Sequence, residues 1–497
     1  MPTEPSTLHP FHGALWTLAL RWSDRLIGFV STLILARLLL PDDFGVYALA
    51  SIMVGLADVL LDLGVHIALI QDRDAQREDY DTAWTLRVLQ SALAATLLVA
   101  LAEPLAGLLG EPRLGALLPW LALALLLGSL ENIGVVDFQK QQRFDRDFRF
   151  FFSKRLVGFV LTITLALMLR SYWALAAGTL GQRLAGVVLS YVLHSYRPRL
   201  SWRRAHKIWI FSRWILLQNV GVYLEQRLDK ILVGKREPTA LVGAYAVADE
   251  IAAMPGTELL APLNRTLLPA LAARMHEPAQ VREMYLLALS MQCLLGFPAS
   301  VGLAMVADRV VAILLGPNWT AAIALLEWLA LGGVVAAMTA SGRYLLLAAG
   351  RSRALAAISW LQIAVFLAVA ILGFAHLTAT GIAALRVVAG ALAGIVILVL
   401  LFKRFPLLSI GDLMRNMLRP ALATAVMALG LTGLEALIAE RTGLMMLSTL
   451  VVGGVMLYVS AALGLWIIAG RPDGAERIIL SSKFSDRRCI TRLIGKV

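Results

Sequence analysis

Ala36 to Ala50 reads ARLLLPDDFGVYALA, and Gly234 to Ala248 reads GKREPTALVGAYAVA. At a fixed offset of 198 residues, Gly45, Tyr47, Ala48 and Ala50 fall on Gly243, Tyr245, Ala246 and Ala248. Each segment joins a first long apolar stretch to a second. A further echo lies downstream. LLGEPRLGALLPWLAL (Leu108–Leu123) matches LLGPNWTAAIALLEWLAL (Leu314–Leu331), with two extra residues in the second copy. Echoes at the same two places in each half describe an internal repeat. It covers about six apolar stretches and occurs twice, so the copies share one orientation, as in parallel-repeat transporters.

Outward from these segments the chain is apolar almost throughout. Hydrophobic residues make up 59% of its 497 residues and charged residues 16%, against roughly 25% charged in a soluble domain. Mean hydropathy is +0.76. We read fourteen membrane-crossing helices, at 13–39, 45–70, 82–109, 115–137, 155–169, 172–194, 208–234, 240–263, 283–306, 319–347, 354–374, 380–402, 416–439 and 443–469. About 20 helical residues at 1.5 Å each span a hydrocarbon core. The expected fold is an all-α polytopic membrane protein with about 14 transmembrane helices. Two parallel six-helix lobes, 1–205 and 206–405, surround a central cavity. Two further helices occupy 406–470, and 471–497 is a basic cytoplasmic tail.

The net charge of +12 is distributed by side. One alternating set of linkers holds 30 of the 45 Lys and Arg and the opposite set holds 7, with 8 inside helices. The positive-inside rule then puts both termini in the cytoplasm, as an even helix count also requires. Cys293 and Cys489 lie far apart, which argues against a disulfide, and no metal motif is present. The first 12 residues hold no Lys or Arg, so the opening stretch reads as a retained helix and not a cleaved signal.

The motifs resemble one family over nearly the whole chain. LARLLLPDDFGVYALA, LDLGVHIALIQ, DTAWTLRVLQ, LDKILVGKREPTALVGAYAVA, LLAPLNRTLLPALA and LLGPNWTAAIALLEWLAL stand in the order and spacing of the Wzx-type polysaccharide exporters, or oligosaccharide flippases. These belong to the multidrug/oligosaccharidyl-lipid/polysaccharide superfamily. The resemblance implies a flippase of the bacterial inner (cytoplasmic) membrane. It moves an undecaprenyl-pyrophosphate-linked oligosaccharide by alternating access, for lipopolysaccharide O-antigen, capsule or exopolysaccharide biosynthesis. It implies no cofactor beyond an ion gradient of H+ or Na+. Its partners are the lipid-linked oligosaccharide, membrane lipids, and a polysaccharide polymerase and chain-length regulator. Lipid II flippases and small-molecule or drug cation antiporters of the superfamily stay open as alternatives.

Charges inside apolar helices are costly, so they mark candidate sites. Arg21, Asp24 and Arg25 share one helix face; Asp24 neutralises one arginine and leaves the other for a pyrophosphate, unless both reach the headgroups. Glu225, Arg227, Asp229 and Lys230 hold the matching place in the second half, as substrate or gate contacts or as a self-neutralised cluster. Asp58, Asp62 and His66, at steps of four, are candidates for proton or cation coupling, or cap their helix. Asp249, Glu250 and Glu258, with Arg183, Arg343 and Arg386, complete the set; Arg343 is the strongest cavity candidate of those arginines.

Other features have plainer readings. The run Lys140, Arg143, Arg146, Arg149, Lys154 and Arg155, interleaved with phenylalanines, reads as an interfacial amphipathic segment and not a nucleic-acid site. Trp202 and Trp209 read as a similar anchor. Pro255, Pro262, Pro269 and Pro298 predict bends in the second half. An enzyme is disfavoured: Asp72-Arg73-Asp74 lacks a nucleotide-sugar domain, and no phosphate-binding Gly-x-x-x-x-Gly-Lys loop occurs.

Overall fold

A computed structural model describes residues 10–61, 69–70, 75–373, 376–437, 443–472 and 474–480, and these form helices and short connections. The first helices are α1 (Pro10–Leu38), α2 (Pro41–Leu61) and α3 (Arg77–Ala100). Pro41 opens α2, where its missing N–H has no partner to lose, and Asp42 and Asp43 follow at the positive end of the dipole. The chain continues as α4 (Ala102–Leu109), α5 (Arg113–Ser129), α6 (Phe144–Leu169), α7 (Trp173–Leu193), α8 (Ala205–Arg236) and α9 (Thr239–Ala252). A π-helical turn at Pro255–Leu260 leads into α10 (Ala261–Ala273). Then come α11 (Pro278–Met305), α12 (Ala322–Ala348), α13 (Ser352–Leu372), α14 (Ala379–Arg404), α15 (Ile410–Leu437), α16 (Gly443–Ile468) and α17 (Ala475–Leu480).

Among the described residues nine helices are long and apolar enough to cross a membrane. A tenth span is α5 taken with Ile133–Lys140, bent by 64° at the break. Large apolar side chains stay uncovered in stripes along them. On α14 the stripe is Val388, Leu392, Ile395 and Val399; on α16 it is Val451, Val455 and Val459. In water such stripes would be a liability, whereas lipid covers them at no cost. The protein is therefore a helical membrane protein. α1 has the length to span, but Arg21, Asp24 and Arg25 sit in its middle.

Contacts divide the chain into two compact units, residues 1–243 and 244–497. In the first, α3 packs on α5, α5 on α7, α6 on α7 and α2 on α5. In the second, α11 packs on α12, α12 on α14, α13 on α14 and α10 on α12, which is the same pattern in the same order. α15 packs on α11 and carries α16. α8 opens the second sequence repeat yet counts with the first unit, because its neighbours there are α2, α3 and α4. Place in the sequence echo and packing unit are separate properties of that helix.

The two quoted echoes have structural reasons. Gly110 and Gly316 each follow a Leu-Leu pair and end a helical run at positive φ, +67° and +102°, where a Cβ is strained. Gly45 and Gly243 are contact glycines. A Cβ on Gly45 would strike the carbonyl of Thr239, and one on Gly243 the carbonyl of Pro41. All four positions lie within residues 1–243, and each carbonyl lies four residues before the glycine of its own helix. Small residues at such crossings let backbones touch.

Two helices run about ten residues beyond the sequence expectation. The helix expected at 155–169 begins at Phe144 in α6. Its basic run is helical because Phe148 stacks on Phe152 at 5.2 Å and meets Trp16 of α1 at 5.1 Å. The helix expected at 240–263 extends to Ala273 through α9, the π turn and α10. Pro255 is the source of that irregularity, since proline removes one N–H and crowds the preceding turn.

Candidate functional site

Five charged side chains gather in the first unit around a cavity of about 360 Å³. They are Asp58 of α2, Arg87 of α3, Glu131 after α5, Lys154 of α6 and Arg183 of α7. Lys154 Nζ donates to Glu131 Oε1 in a buried pair, the residues being 9% and 6% exposed. Gly186 of α7 lies against that pair, and a Cβ there would collide with Glu131 Oε1. Arg87 Nη2 donates to the Gly128 carbonyl at 2.9 Å and stands 4.0 Å from Glu131 Oε2. Arg183 Nη1 reaches the same glycine from the other side, 3.0 Å from where a Cβ would be. Two guanidinium groups thus converge on Gly128. Gln90, Ser91 and Ser129 add polar groups to the wall, and Phe150 and Phe151 add an aromatic edge.

Among the described residues the lining carries three cations and two carboxylates, set between membrane helices. Charges at that depth need partners, and the Lys154–Glu131 pair is one such match. The surplus is positive, so the cavity suits an anion.

Of the sequence candidates, Asp58 and Arg183 line this cavity. Asp62 and His66 lie outside the described residues. On α1, Asp24 pairs with Arg155 of α6 at 3.1 Å, while Arg21 and Arg25 are half-buried on the same helix. On α8, Asp229 and Lys230 are buried side by side, the Lys230 N–H donating to Asp229 Oδ1 at 2.9 Å. Glu225 and Arg227 are half-buried one turn earlier, and Tyr223 donates to the Ile52 carbonyl of α2 at 2.7 Å. Asp249 of α9 pairs with Arg386 of α14 at 2.8 Å, which brings two of the candidates together. Glu250 is exposed and Glu258 half-buried in the π turn. Arg343 is half-buried on α12, two residues from Ser341, whose N–H donates to Gln292 Oε1 at 3.0 Å. Gln292 Nε2 in turn donates to Asn264 Oδ1 at 2.6 Å, a buried polar seam joining α10, α11 and α12.

Sequence reasoning missed Arg87, Glu131 and Lys154. Lys154 is the correction with a cause. It reads as part of a basic interfacial run, but it points inward because Glu131 offers a buried partner. Arg87 did carry a signal, being the one charge in the apolar part of α3.

Outside the spans, Glu111 and His194 show shifted acidity. Glu111, between α4 and α5, receives Arg113 Nε and Nη2, each at 2.7 Å, and Thr239 Oγ1 at 2.6 Å. The Arg113 bonds hold its carboxyl below the usual range. His194, just past α7, is pushed below its usual range by burial, against the pull of Asp137 at 3.6 Å. Arg146 and Arg197 act on it in the same direction as burial.

The helices and the charged cavity define a polytopic membrane protein with a polar site inside its bundle. The chain belongs to the family of polysaccharide biosynthesis proteins, whose profile matches residues 34–324. Lipopolysaccharide biosynthesis protein WzxC of Escherichia coli (strain K12) is 24% identical over 317 residues, covering 62% of this chain and 64% of that protein. Succinoglycan biosynthesis transport protein ExoT of Rhizobium meliloti (strain 1021) is 24% identical over 318 residues, 64% of each chain. The chain thus spans just under two thirds of the length of these curated relatives. Among solved structures, the lipid II flippase MurJ in an inward closed conformation matches with a TM-score of 0.74 at 13% identity, over 92% of this chain and 100% of that one. At that identity the likeness is one of fold.

Proposed function

We propose that this protein carries an undecaprenyl-pyrophosphate-linked oligosaccharide from the cytoplasmic to the periplasmic leaflet of the bacterial inner membrane, for surface polysaccharide assembly. The observation that carries this reading is its family membership, with relatives named for lipopolysaccharide biosynthesis and succinoglycan transport. The cargo is anionic at its pyrophosphate, and the positive surplus of the first-unit cavity is compatible with it. Translocation proceeds by alternating access of two six-helix lobes, 1–205 and 206–405, in a fourteen-helix frame. The repeated contact pattern supports that division, and the charge-laden α1 and α8, both long, support the higher helix count. Both termini lie in the cytoplasm, and an H+ or Na+ gradient drives the cycle. Arg21, Asp24, Arg25, Arg227, Lys230 and Arg343 are its proposed cargo contacts. Asp58, Asp62, His66, Glu225, Asp229, Asp249, Glu250 and Glu258 are proposed for coupling or gating.

The test is mass spectrometry of lipid-linked glycans after deletion of the gene. The expected result is accumulation of an undecaprenyl-pyrophosphate oligosaccharide that the wild-type gene clears. Unchanged lipids together with raised sensitivity to cationic drugs would replace this reading with an antiporter.

A further inference from the structure

The basic run around the start of α6 is divided among the faces of that helix, and one share of it has no task inside the protein. Lys154 turns to Glu131 and Arg155 to Asp24. Arg143, Arg146 and Arg149 follow one another at steps of three and fan over a different side of α6 from Phe148 and Phe152. Arg149 is exposed and the other two are half-buried. Among the described residues, none hydrogen-bonds or ion-pairs with these three guanidinium groups. Asp147 of the same turn faces inward, where Gln139 Nε2 donates to it at 3.2 Å. Asp145 is then the one carboxylate of that turn left beside the three cations. They stand at the N-terminal end of α6, where the helix dipole already disfavours positive charge. An anion from outside the protein removes that cost.

The same face continues as bare apolar surface. Leu156, Val160 and Leu167 lie seven, eleven and eighteen residues beyond Arg149, spacings that keep them in line with it along the helix, and all three are exposed. α6 packs through its other sides on α1 and α7. From Arg149 to Val160 the helix rises about 16 Å, and half of a hydrocarbon core of about 30 Å is about 15 Å. Arginines at the membrane surface, with one leaflet's depth of apolar side chains in line with them, match the two parts of a phospholipid of net negative charge. Guanidinium groups bind its phosphate, and an acyl chain covers the stripe. A zwitterionic lipid brings an ammonium that the arginines repel. This face lies on the outer side of the first unit, apart from the cavity that Lys154 enters, so its occupant is a resident membrane lipid and not the carried molecule.

We propose that the N-terminal end of α6 is a binding site for an anionic phospholipid of the surrounding membrane. Arg146 and Arg149 hold the headgroup phosphate, Arg143 adds charge, and the Leu156 and Val160 face lies along an acyl chain. The bound lipid fixes the depth at which the first unit stands in one leaflet. The site goes beyond the translocation reading and does not need it.

The test is native mass spectrometry of the full-length protein in detergent, titrated in separate arms with dioleoylphosphatidylglycerol, dioleoylphosphatidylethanolamine and undecaprenyl pyrophosphate. The wild type is expected to bind phosphatidylglycerol at least tenfold more tightly than phosphatidylethanolamine. Each arginine near an anionic surface contributes about a fivefold gain. The double variant Arg146→Gln with Arg149→Gln should therefore bind phosphatidylglycerol at least tenfold more weakly and lose the preference. Arg146→Lys with Arg149→Lys keeps the charge and most of the preference, which separates loss of charge from misfolding. Arg351→Gln with Arg353→Gln removes the same charge from the exposed start of α13 and should leave phosphatidylglycerol binding unchanged. An equal loss in that control reduces the effect to overall charge and overturns the site. Equal affinity of the wild type for the two phospholipids, or a folded glutamine variant of Arg146 and Arg149 that keeps the preference, also overturns it. If that variant loses undecaprenyl pyrophosphate but keeps phosphatidylglycerol, the face belongs to the carried lipid and the proposal falls. None of these arms measures transport, so their failure leaves the translocation reading to the glycan analysis.

Discussion

Lys154 shows how much one buried charge depends on one partner. Its ammonium lies among membrane helices with Glu131 against it and Phe150 at 5.6 Å beneath. Lys154→Met leaves Glu131 as a buried anion, a loss expected to be about 3–5 kcal/mol and visible as a lowered melting temperature in detergent. The double variant Lys154→Met with Glu131→Leu restores most of that stability, because the stranded charge is gone; a double variant no better than the single one would count against the pair. His194 makes a second prediction at this scale. Its pKa is depressed by burial, so between that value and about 6.5 the unfolded chain binds the proton first. Stability is therefore full above pH 6.5 and declines as pH falls below it. Glu111, held low by Arg113, acts in the same direction nearer pH 4. Melting curves across pH 4–8 should show the upper part of this decline disappear in His194→Asn. Neither Lys154–Glu131 nor His194–Asp137 was legible in the sequence, since the partners lie 23 and 57 residues apart and no local rule couples them.

At the scale of elements, the two Leu-Leu-Gly ends have different geometry. Gly110 is in the left-handed helical region, at φ +67° and ψ 22°, which asparagine also adopts. Gly316 sits at φ +102° and ψ −177°, a region that only glycine enters readily. Gly110→Asn is expected to cost little, and Gly316→Asn about 1–3 kcal/mol, as measured by thermal unfolding in detergent. Equal effects would mean that the two echoes are interchangeable. The sequence showed both glycines as repeated punctuation, because strain at positive φ depends on one residue alone. It did not show where α6 begins. A helix start in a basic, aromatic run depends on whether phenylalanines find a neighbour, and Trp16 lies more than a hundred residues away. The π turn was half legible: the prolines announced an irregularity without giving its form.

For the whole molecule, apolar length and repeated motifs were enough to give the class, because lipid demands continuous helices whatever their order. The polar interior was not, because it is assembled from five separate elements in the first unit. A molecule-wide consequence follows from the paired glycines. The contact of Gly45 with the Thr239 carbonyl maps onto that of Gly243 with the Pro41 carbonyl when both are moved by 198 residues. This is the arrangement of an isologous interface, in which one patch meets its own likeness. Gly45 and Gly243 therefore lie on one seam: a side chain added to either strikes the backbone of the other's helix, so the two positions are constrained together.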